Sequence, residues 1–158
     1  MRKNGMNERI VETLAVLLLS SQLAGVAVAA ASDTRLQYSP SSPGAPFSQA
    51  VRVDDVLYLS GQIGFDSQNR LPAGMEAQAR QVMENIAAVL RDNGASMRDV
   101  FKCAVMLSDM TQWAAFNKVY VSYFESGRLP ARSAFGTNGL VGGALVELEC
   151  WALLPRRQ

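Results

Sequence analysis

Histidine is absent from this chain of 158 residues, and cysteine occurs only at Cys103 and Cys150. The absence of histidine excludes Ser-His-Asp and Cys-His catalytic groups, His-ligated zinc and an imidazole general base. Two cysteines are too few for a four-thiolate metal site or a dense disulfide framework. Any catalysis must therefore use arginine, lysine, carboxylates, hydroxyls, backbone groups or water.

The sequence also lacks an excess of charge of either sign. Fifteen Lys+Arg face fourteen Asp+Glu, which gives a formal net charge of +1, and there is no long basic run. This balance argues against binding nucleic acid or an acidic membrane surface by bulk electrostatics. Hydrophobic residues make up 49% of the chain, too many for a disordered protein, and the length fits one domain.

The N-terminal segment has the layout of a secretory signal peptide. Basic residues precede a mostly apolar run, 14–28, which ends in small residues with A-x-A patterns. The pattern predicts a signal peptide over 1–29, cleaved at about 29–31, and hence an exported, periplasmic protein if the source is bacterial. The polar residues at 20–22 interrupt the ~20 apolar residues that a spanning helix needs. An uncleaved membrane anchor is the alternative, and after cleavage we expect no stable membrane insertion.

The two cysteines leave two interpretations open. An oxidising compartment would permit a disulfide between Cys103 and Cys150. The sequence does not show whether their Cα atoms lie close enough for one. We favour two buried free thiols that pack as small hydrophobic side chains.

The mature chain divides into an extended lead-in over 30–46, rich in Ser, Pro and Gly, and one domain over 47–155. Hydrophobic periodicity and turn residues predict the elements of the domain. In chain order they are a hairpin around Asp54-Asp55, a helix over 75–93, a strand over 100–107, a helix from Asp109 to Gly127, a short extended stretch over 132–135 and a last strand over 146–154.

The order β-β-α-β-α-β predicts an α+β domain in which one sheet is covered by two helices on one face. Strand alternation places four side chains on the other face, among them two aromatic ones. The four are Tyr58, Glu147, Glu149 and Trp151. Exposed aromatic residues are typical of interfaces, so this face is predicted to contact another subunit.

Taken alone, the polar residues do not form a recognisable site. The glycine-rich loop over 136–143 lacks the spacing and the following helix of a nucleotide-binding loop. Arg132 has a planar fork suited to a carboxylate, although an isolated arginine is more often an ion-pair residue. Glu147 and Glu149 are normally solvated or paired, and a cleft would let one act as acid or base. The aromatic residues spaced as a helix stripe indicate core: Trp113, Phe116, Tyr120 and Tyr123, with Asn117 beside them.

Four stretches resemble the Rid family, the reactive intermediate deaminases also called the YjgF or RidA family. They are PFSQAV from Pro46, LSGQIG from Leu59, PARSAF from Pro130 and GALVELECWA from Gly143. The resemblance covers about residues 43–154. It implies a chorismate-mutase-like fold and a homotrimer whose sheets face inward, with clefts between adjacent subunits.

The resemblance also implies a reaction. Members with the deaminase activity hydrolyse reactive 2-imino or 2-enamino acids to 2-oxo acids and ammonia, with no metal and no organic cofactor. The expected enzyme is a 2-iminobutanoate/2-iminopropanoate deaminase. One alternative is a non-catalytic protein of the same fold that binds small carboxylates such as 2-oxo acids. A ribonuclease or translation-inhibitor role, ascribed to some relatives, is disfavoured, because removal of residues 1–29 would leave twelve basic and twelve acidic residues and no basic patch.

The family's functional residues carry over by position. Arg132 matches the arginine that holds the substrate carboxylate, and Glu147 matches the acidic residue associated with positioning or activating water. Three more matches line the cleft: Ser60 near the reacting group, Gly61 through its backbone and Asn117 on the wall. Tyr120 matches a nearby aromatic residue with a weaker role.

Two positions depart from the family pattern. Phe47 stands where a tyrosine is common, and Ala134 stands where many members have cysteine. Both should still line the substrate pocket. Phe47 cannot donate a hydrogen bond, and loss of one good donor in a catalytic site costs ~2.7–4 kcal/mol.

Overall fold

The computed structural model describes residues 35–155. The predicted signal peptide, 1–29, and the first residues of the predicted lead-in lie outside the described residues. Across residues 35–155 no helix has the length and apolarity that crossing a membrane requires.

The described chain forms one mixed sheet with two α-helices. The helices are α1, Met75–Asp92, and α2, Trp113–Tyr120. The strands are β1 Leu36–Ser39, β2 Ala50–Val53, β3 Val56–Leu59, β4 Gln62–Ile63, β5 Val100–Leu107, β6 Ala131–Gly136 and β7 Val146–Leu153. The sheet order is β1-β2-β3-β7-β5-β6, with β4 paired to β7, and every pairing is antiparallel except β5 with β6.

The strands at the two edges of the sheet extend the predicted order. β1 lies within the predicted lead-in and pairs with β2, so that part of the lead-in is a strand rather than a free segment. Pairing with β1 satisfies backbone groups that β2 would otherwise leave exposed at a sheet edge. At the other edge, the predicted extended stretch is β6, which pairs in parallel with β5.

Helix α1 ends within one residue of the limits predicted for it, 75–93. Met83 and Ile86 are fully buried on its apolar face, as the spacing requires. Gly94 adopts a positive φ of 76° after the last turn, and the Ala95 N–H donates to Leu90 O at 2.9 Å. That geometry is a common glycine-dependent way to end a helix.

The second predicted helix is divided. A short 3-10 turn, Met110–Gln112, follows Asp109, whose carboxylate accepts a hydrogen bond from the Thr111 N–H at 2.9 Å. α2 then runs for 8 residues and passes into another 3-10 turn, Val121–Tyr123. The helical stretch therefore ends at 123, short of the predicted end at Gly127.

The two faces of the sheet differ as predicted. The face toward the helices is a buried core that includes Leu57, Val105 and Leu148. On the open face, the Tyr58 and Trp151 rings lie 5.0 Å apart between centroids. The open face of the sheet is therefore amphipathic, with aromatic and carboxylate side chains next to each other.

The prediction of two free thiols is wrong, because Cys103 and Cys150 form a disulfide. They are directly opposite each other in the antiparallel β5–β7 pairing, with Cα atoms 4.2 Å apart. Both side chains point to the helix face and are fully buried. The two cysteines are 47 residues apart in the sequence, so their contact could be predicted only from the register of the β5–β7 pairing.

Candidate active site

Arg132 lies on the edge strand β6 and points to the helix side of the sheet, because its partner in β5 is the buried Cys103. Its guanidinium carbon lies 4.5 Å from the ring centroid of Trp113 and 4.6 Å from that of Tyr120. Phe116 lies 6.0 Å away. Positive charge over aromatic faces is favourable and fixes the plane of the arginine fork. The aromatic stripe predicted as core thus also orients Arg132.

Three buried polar atoms near this arginine have no hydrogen-bond partner within the described residues: Asn117 Oδ1, Tyr120 Oη and Arg132 Nη1. Buried polar atoms are paired in most proteins, so a group of unpaired ones calls for an explanation. Burial raises the pKa of Tyr120 to about 12, against the opposing effect of the Arg132 charge. The hydroxyl therefore keeps its proton at neutral pH. Arg132 Nη1 and the Tyr120 hydroxyl can donate to a ligand carboxylate, whereas Asn117 Oδ1 needs a donor such as an N–H or O–H group.

A second group surrounds Glu147 on the open face. Strands β3 and β4 both pair with β7, and Ser60-Gly61 form the break between them. A Cβ atom on Gly61 would lie 2.0 Å from Glu147 Oε1, so only glycine lets the carboxylate rest on this backbone. The Ser60 hydroxyl donates to Ser48 O at 2.6 Å, next to the exposed Phe47.

The Glu147 carboxylate has an environment suited to a base. Partial burial raises its pKa, and the charge of Glu149 on the same face raises it further. Glu149 itself accepts a hydrogen bond from Trp151 Nε1 at 2.8 Å. No lysine or arginine within residues 35–155 forms an ion pair with Glu147. A carboxylate without a counter-charge binds a proton more readily than usual.

The two groups do not meet within one chain. Arg132 is aligned with Cys103, whereas Glu147 is aligned with Met106. From strand spacing and rise per residue, the Arg132 and Glu147 backbones are about 14 Å apart, with side chains on opposite faces. Arg132 and Ala134 point to the helix side, where α2 carries Asn117 and Tyr120. Glu147 and Gly61 lie together on the other side, Ser60 is next to Gly61, and Phe47 is next to the Ser48 that Ser60 contacts.

A large surface cavity of the single chain lies away from both groups. It encloses about 570 Å³ between the Met97–Asp99 turn and the segment after α2, where Glu125 pairs with Arg98 at 2.8 Å. None of the predicted site residues lines it. For metals, the part of the chain from 35 to 155 contains no cluster of three or more Cys, Asp or Glu suited to an ion.

Comparison with known proteins decides the family. The family model described as Endoribonuclease L-PSP matches residues 38–154. The chain belongs to this family, the YjgF or Rid family. The match spans the motifs that carried the resemblance and confirms it.

Named relatives match between 68% and 76% of this chain. A mouse protein named 2-iminobutanoate/2-iminopropanoate deaminase is 39% identical over 110 residues, 68% of this chain and 81% of the mouse protein. The human protein of that name is 37% identical over 116 residues, 71% of this chain and 84% of its own length. The crystal structure of RidA from the Antarctic bacterium Psychrobacter sp. is 37% identical with a TM-score of 0.68, and the match covers 76% of this chain and 98% of that one. The predicted α+β, chorismate-mutase-like fold is confirmed.

The contact between Gly61 and Glu147 gives a first prediction. Gly61→Ala should push the carboxylate away, since the added Cβ would overlap Glu147 Oε1, the end of a flexible side chain. The fold should tolerate this, so Tm stays near that of wild type, while any turnover that uses the Glu147 carboxylate falls about tenfold or more because a catalytic group is misplaced. Gly136→Ala is the control, because its Cβ would approach the flexible Met110 side chain at 3.0 Å and would lie at an ordinary contact distance, 3.9 Å, from Leu107 O. Equal activity in both variants would contradict the role given to this contact.

Proposed function

We propose that this protein is a homotrimeric hydrolase that converts 2-imino or 2-enamino acids to 2-oxo acids and ammonia. The proposal places each site at a subunit boundary, where the Arg132 group of one chain faces the Glu147 group of the next. The observation that carries it is the set of unpaired buried atoms around Arg132, on the sheet face opposite Glu147. A neighbouring chain and a substrate carboxylate would satisfy those atoms. The deaminase names of the mouse and human relatives favour the same reaction.

The chemistry assigned to each group follows from its geometry. Arg132 binds the substrate carboxylate with two parallel N–H donors, and its aromatic neighbours keep the fork in one plane. Glu147 accepts a proton from water, and the resulting hydroxide adds to the imine carbon. The proton passes from Glu147 to the nitrogen and gives a 2-amino-2-hydroxy acid. Glu147 then transfers the hydroxyl proton to the amine, the C=O bond forms as the C–N bond breaks, and ammonia and the 2-oxo acid leave. Holding both reactants in place contributes several kcal/mol, and the carboxylate acts from ~2.6–3.2 Å. No metal or organic cofactor enters this scheme.

The pH dependence of this reaction follows from the raised pKa of Glu147. Protonated Glu147 cannot take a proton from water, so kcat/KM should rise with pH through a midpoint above the usual glutamate range. Besides burial, the charge of Glu149 raises the pKa of Glu147. Glu149→Gln removes that charge, so the midpoint of the pH profile of this variant should lie at lower pH than that of wild type. Glu147→Gln should lose the dependence together with the activity. Rates are corrected at each pH for uncatalysed imine decay, and an unchanged midpoint in Glu149→Gln would contradict the assignment.

The direct test uses purified residues 30–158. An amino acid oxidase generates the 2-imino acid, semicarbazide traps what remains, and light scattering gives the mass of the assembly. We expect accelerated imine decay and the mass of three chains. A monomer, or a trimer that leaves the decay unchanged across several amino acids, would overturn the proposal.

One observation favours a second candidate, a protein of the same assembly that binds 2-oxo acids without catalysis. Phe47 offers no hydroxyl beside Ser60, where the family commonly has tyrosine. Such a protein would bind 2-oxo acids in a calorimetric titration and leave imine decay unchanged. This outcome separates the two candidates in the same preparation.

We also propose that the protein is exported, with residues 1–29 removed. The buried Cys103–Cys150 disulfide supports this, because disulfides persist in oxidising compartments and are rare in the cytosol. Intact mass of the protein recovered from the periplasmic fraction of an expressing bacterium should correspond to a start near Ala30 or Ser32. A mass that retains Met1 would contradict cleavage.

A further inference from the structure

One amide side chain of helix α1, that of Asn85, hydrogen-bonds to the segment that lies against Glu147. Asn85 Nδ2 donates to Ile63 O at 2.9 Å and to Phe65 O at 3.0 Å. Gln81, one turn earlier, donates from Nε2 to Asn85 Oδ1 at 2.9 Å. Both amide hydrogens and the oxygen of Asn85 are therefore engaged, and its orientation is set by Gln81.

The segment that Asn85 holds is in direct contact with Glu147. Ile63 is the partner of Glu147 in the β4–β7 pairing, and Gly61 lies against the Glu147 carboxylate. Strand β4 has only 2 residues, so its own ladder fixes its position weakly. Beyond it the Phe65 ring lies close to Gly142, where an added Cβ would be 2.7 Å from Phe65 Cζ. Gly64 also packs against the α1 backbone, where an added Cβ would lie 2.9 Å from Gln78 O. Asn85 is thus the side-chain hydrogen-bond link between a rigid helix and this short support.

We propose that Asn85, oriented by Gln81, is a positioning residue that sets the distance between the Gly61 backbone and the Glu147 carboxylate. It does not touch the substrate. Its two hydrogen bonds keep residues 61–65 against β7, which limits the access of water to the carboxylate. The effect on turnover rests on the proposed function, whereas the effect on Glu147 itself does not.

The surroundings of Glu147 make its titration a clean measure of this support. Its strand neighbours on the same face are Ile63 in β4 and Met106 in β5, which are both uncharged. Glu149 is the charged neighbour that affects its proton affinity. A change in Asn85 alters none of these groups, so a shifted Glu147 titration reports a changed contact with the Gly61 backbone.

The experiment compares Asn85→Ala and Gln81→Met with wild type, using Asn93→Ala as matched control. Asn93 is the cap residue of α1, where its Nδ2 donates to Val89 O at 2.8 Å, away from β4. The measurements are kcat and KM across pH, and the titration of Glu147 by NMR with carboxyl-labelled glutamate. We expect Asn85→Ala to lower kcat about tenfold with KM changed less than about twofold. The Glu147 midpoint should move to lower pH as water reaches the carboxylate, with a smaller shift in Gln81→Met and none in Asn93→Ala.

A wild-type Glu147 titration in both Asn85→Ala and Gln81→Met, with only Tm reduced, would show a purely structural role and overturn the proposal. If Asn85→Ala does not fold, Gln81→Met decides, since it keeps the side-chain length and removes the amide that donates to Asn85 Oδ1. If wild type does not hydrolyse imines, the proposed function fails, and the NMR titration still decides the role of Asn85.

Discussion

Arg132→Gln should lower kcat/KM for 2-imino acid hydrolysis by about 30-fold to several thousandfold, the effect of removing one partner of a desolvated charge pair worth about 2–5 kcal/mol. Glutamine keeps hydrogen-bonding capacity and loses both the charge and the fork that matches a carboxylate. The loss should appear mainly in kcat, because an unclamped imine no longer lies where water is activated. The measurement is imine decay under semicarbazide trapping at several substrate concentrations.

Two variants distinguish this role from a general effect of charge. Arg132→Lys keeps the charge without the planar fork, so it should recover little activity. Arg128→Gln removes an exposed arginine four residues earlier, whose partner is Glu125, and should leave the rate unchanged. Equal losses in Arg128→Gln and Arg132→Gln would remove Arg132 from the site.

Removing the disulfide by the double change Cys103→Ala and Cys150→Ala should lower the free energy of unfolding by about 4 kcal/mol. The estimate is the chain entropy released when a cross-link closing a loop of 47 residues is lost. For a domain of this size the Tm should fall by roughly 10 °C or more. The measurement is chemical and thermal unfolding at one protein concentration, since assembly makes stability depend on concentration.

Wild-type protein unfolded in reductant is the matched comparison. In reductant, its free energy of unfolding and its Tm should approach those of the double variant. The remaining difference should come from the volume of the two sulfur atoms. A reductant-insensitive wild type that matches the double variant in Tm would show that the two thiols are not joined.

The elements with strong local signals could be predicted from the sequence. The apolar spacing in 75–93 and the Asn93-Gly94 pair determine α1, and β5 appears at its predicted limits, because both depend on neighbouring residues in the chain. The strand β1 could not be predicted, because LQYS has little burial and its place depends on pairing with β2.

The candidate site shows the same division. The motifs name candidate residues, whereas the placement of Arg132 and Glu147 on opposite faces of the sheet depends on the strand pairing. The disulfide was missed for a related reason, since it depends on the β5–β7 register. The contribution of Trp113 was missed because an aromatic residue at helical spacing looks like core, and only the nearby guanidinium shows its second role.

The placement of Arg132 and Glu147 on opposite faces of one sheet also has a genetic consequence. Arg132→Gln and Glu147→Gln change different halves of the proposed site. A trimer made of either variant alone would therefore be inactive. In a cyclic assembly where every site takes one half from each of two neighbours, random mixing restores about a quarter of the sites. Co-refolding the two inactive variants should therefore return activity that neither has alone, and two alleles of such a protein would complement each other.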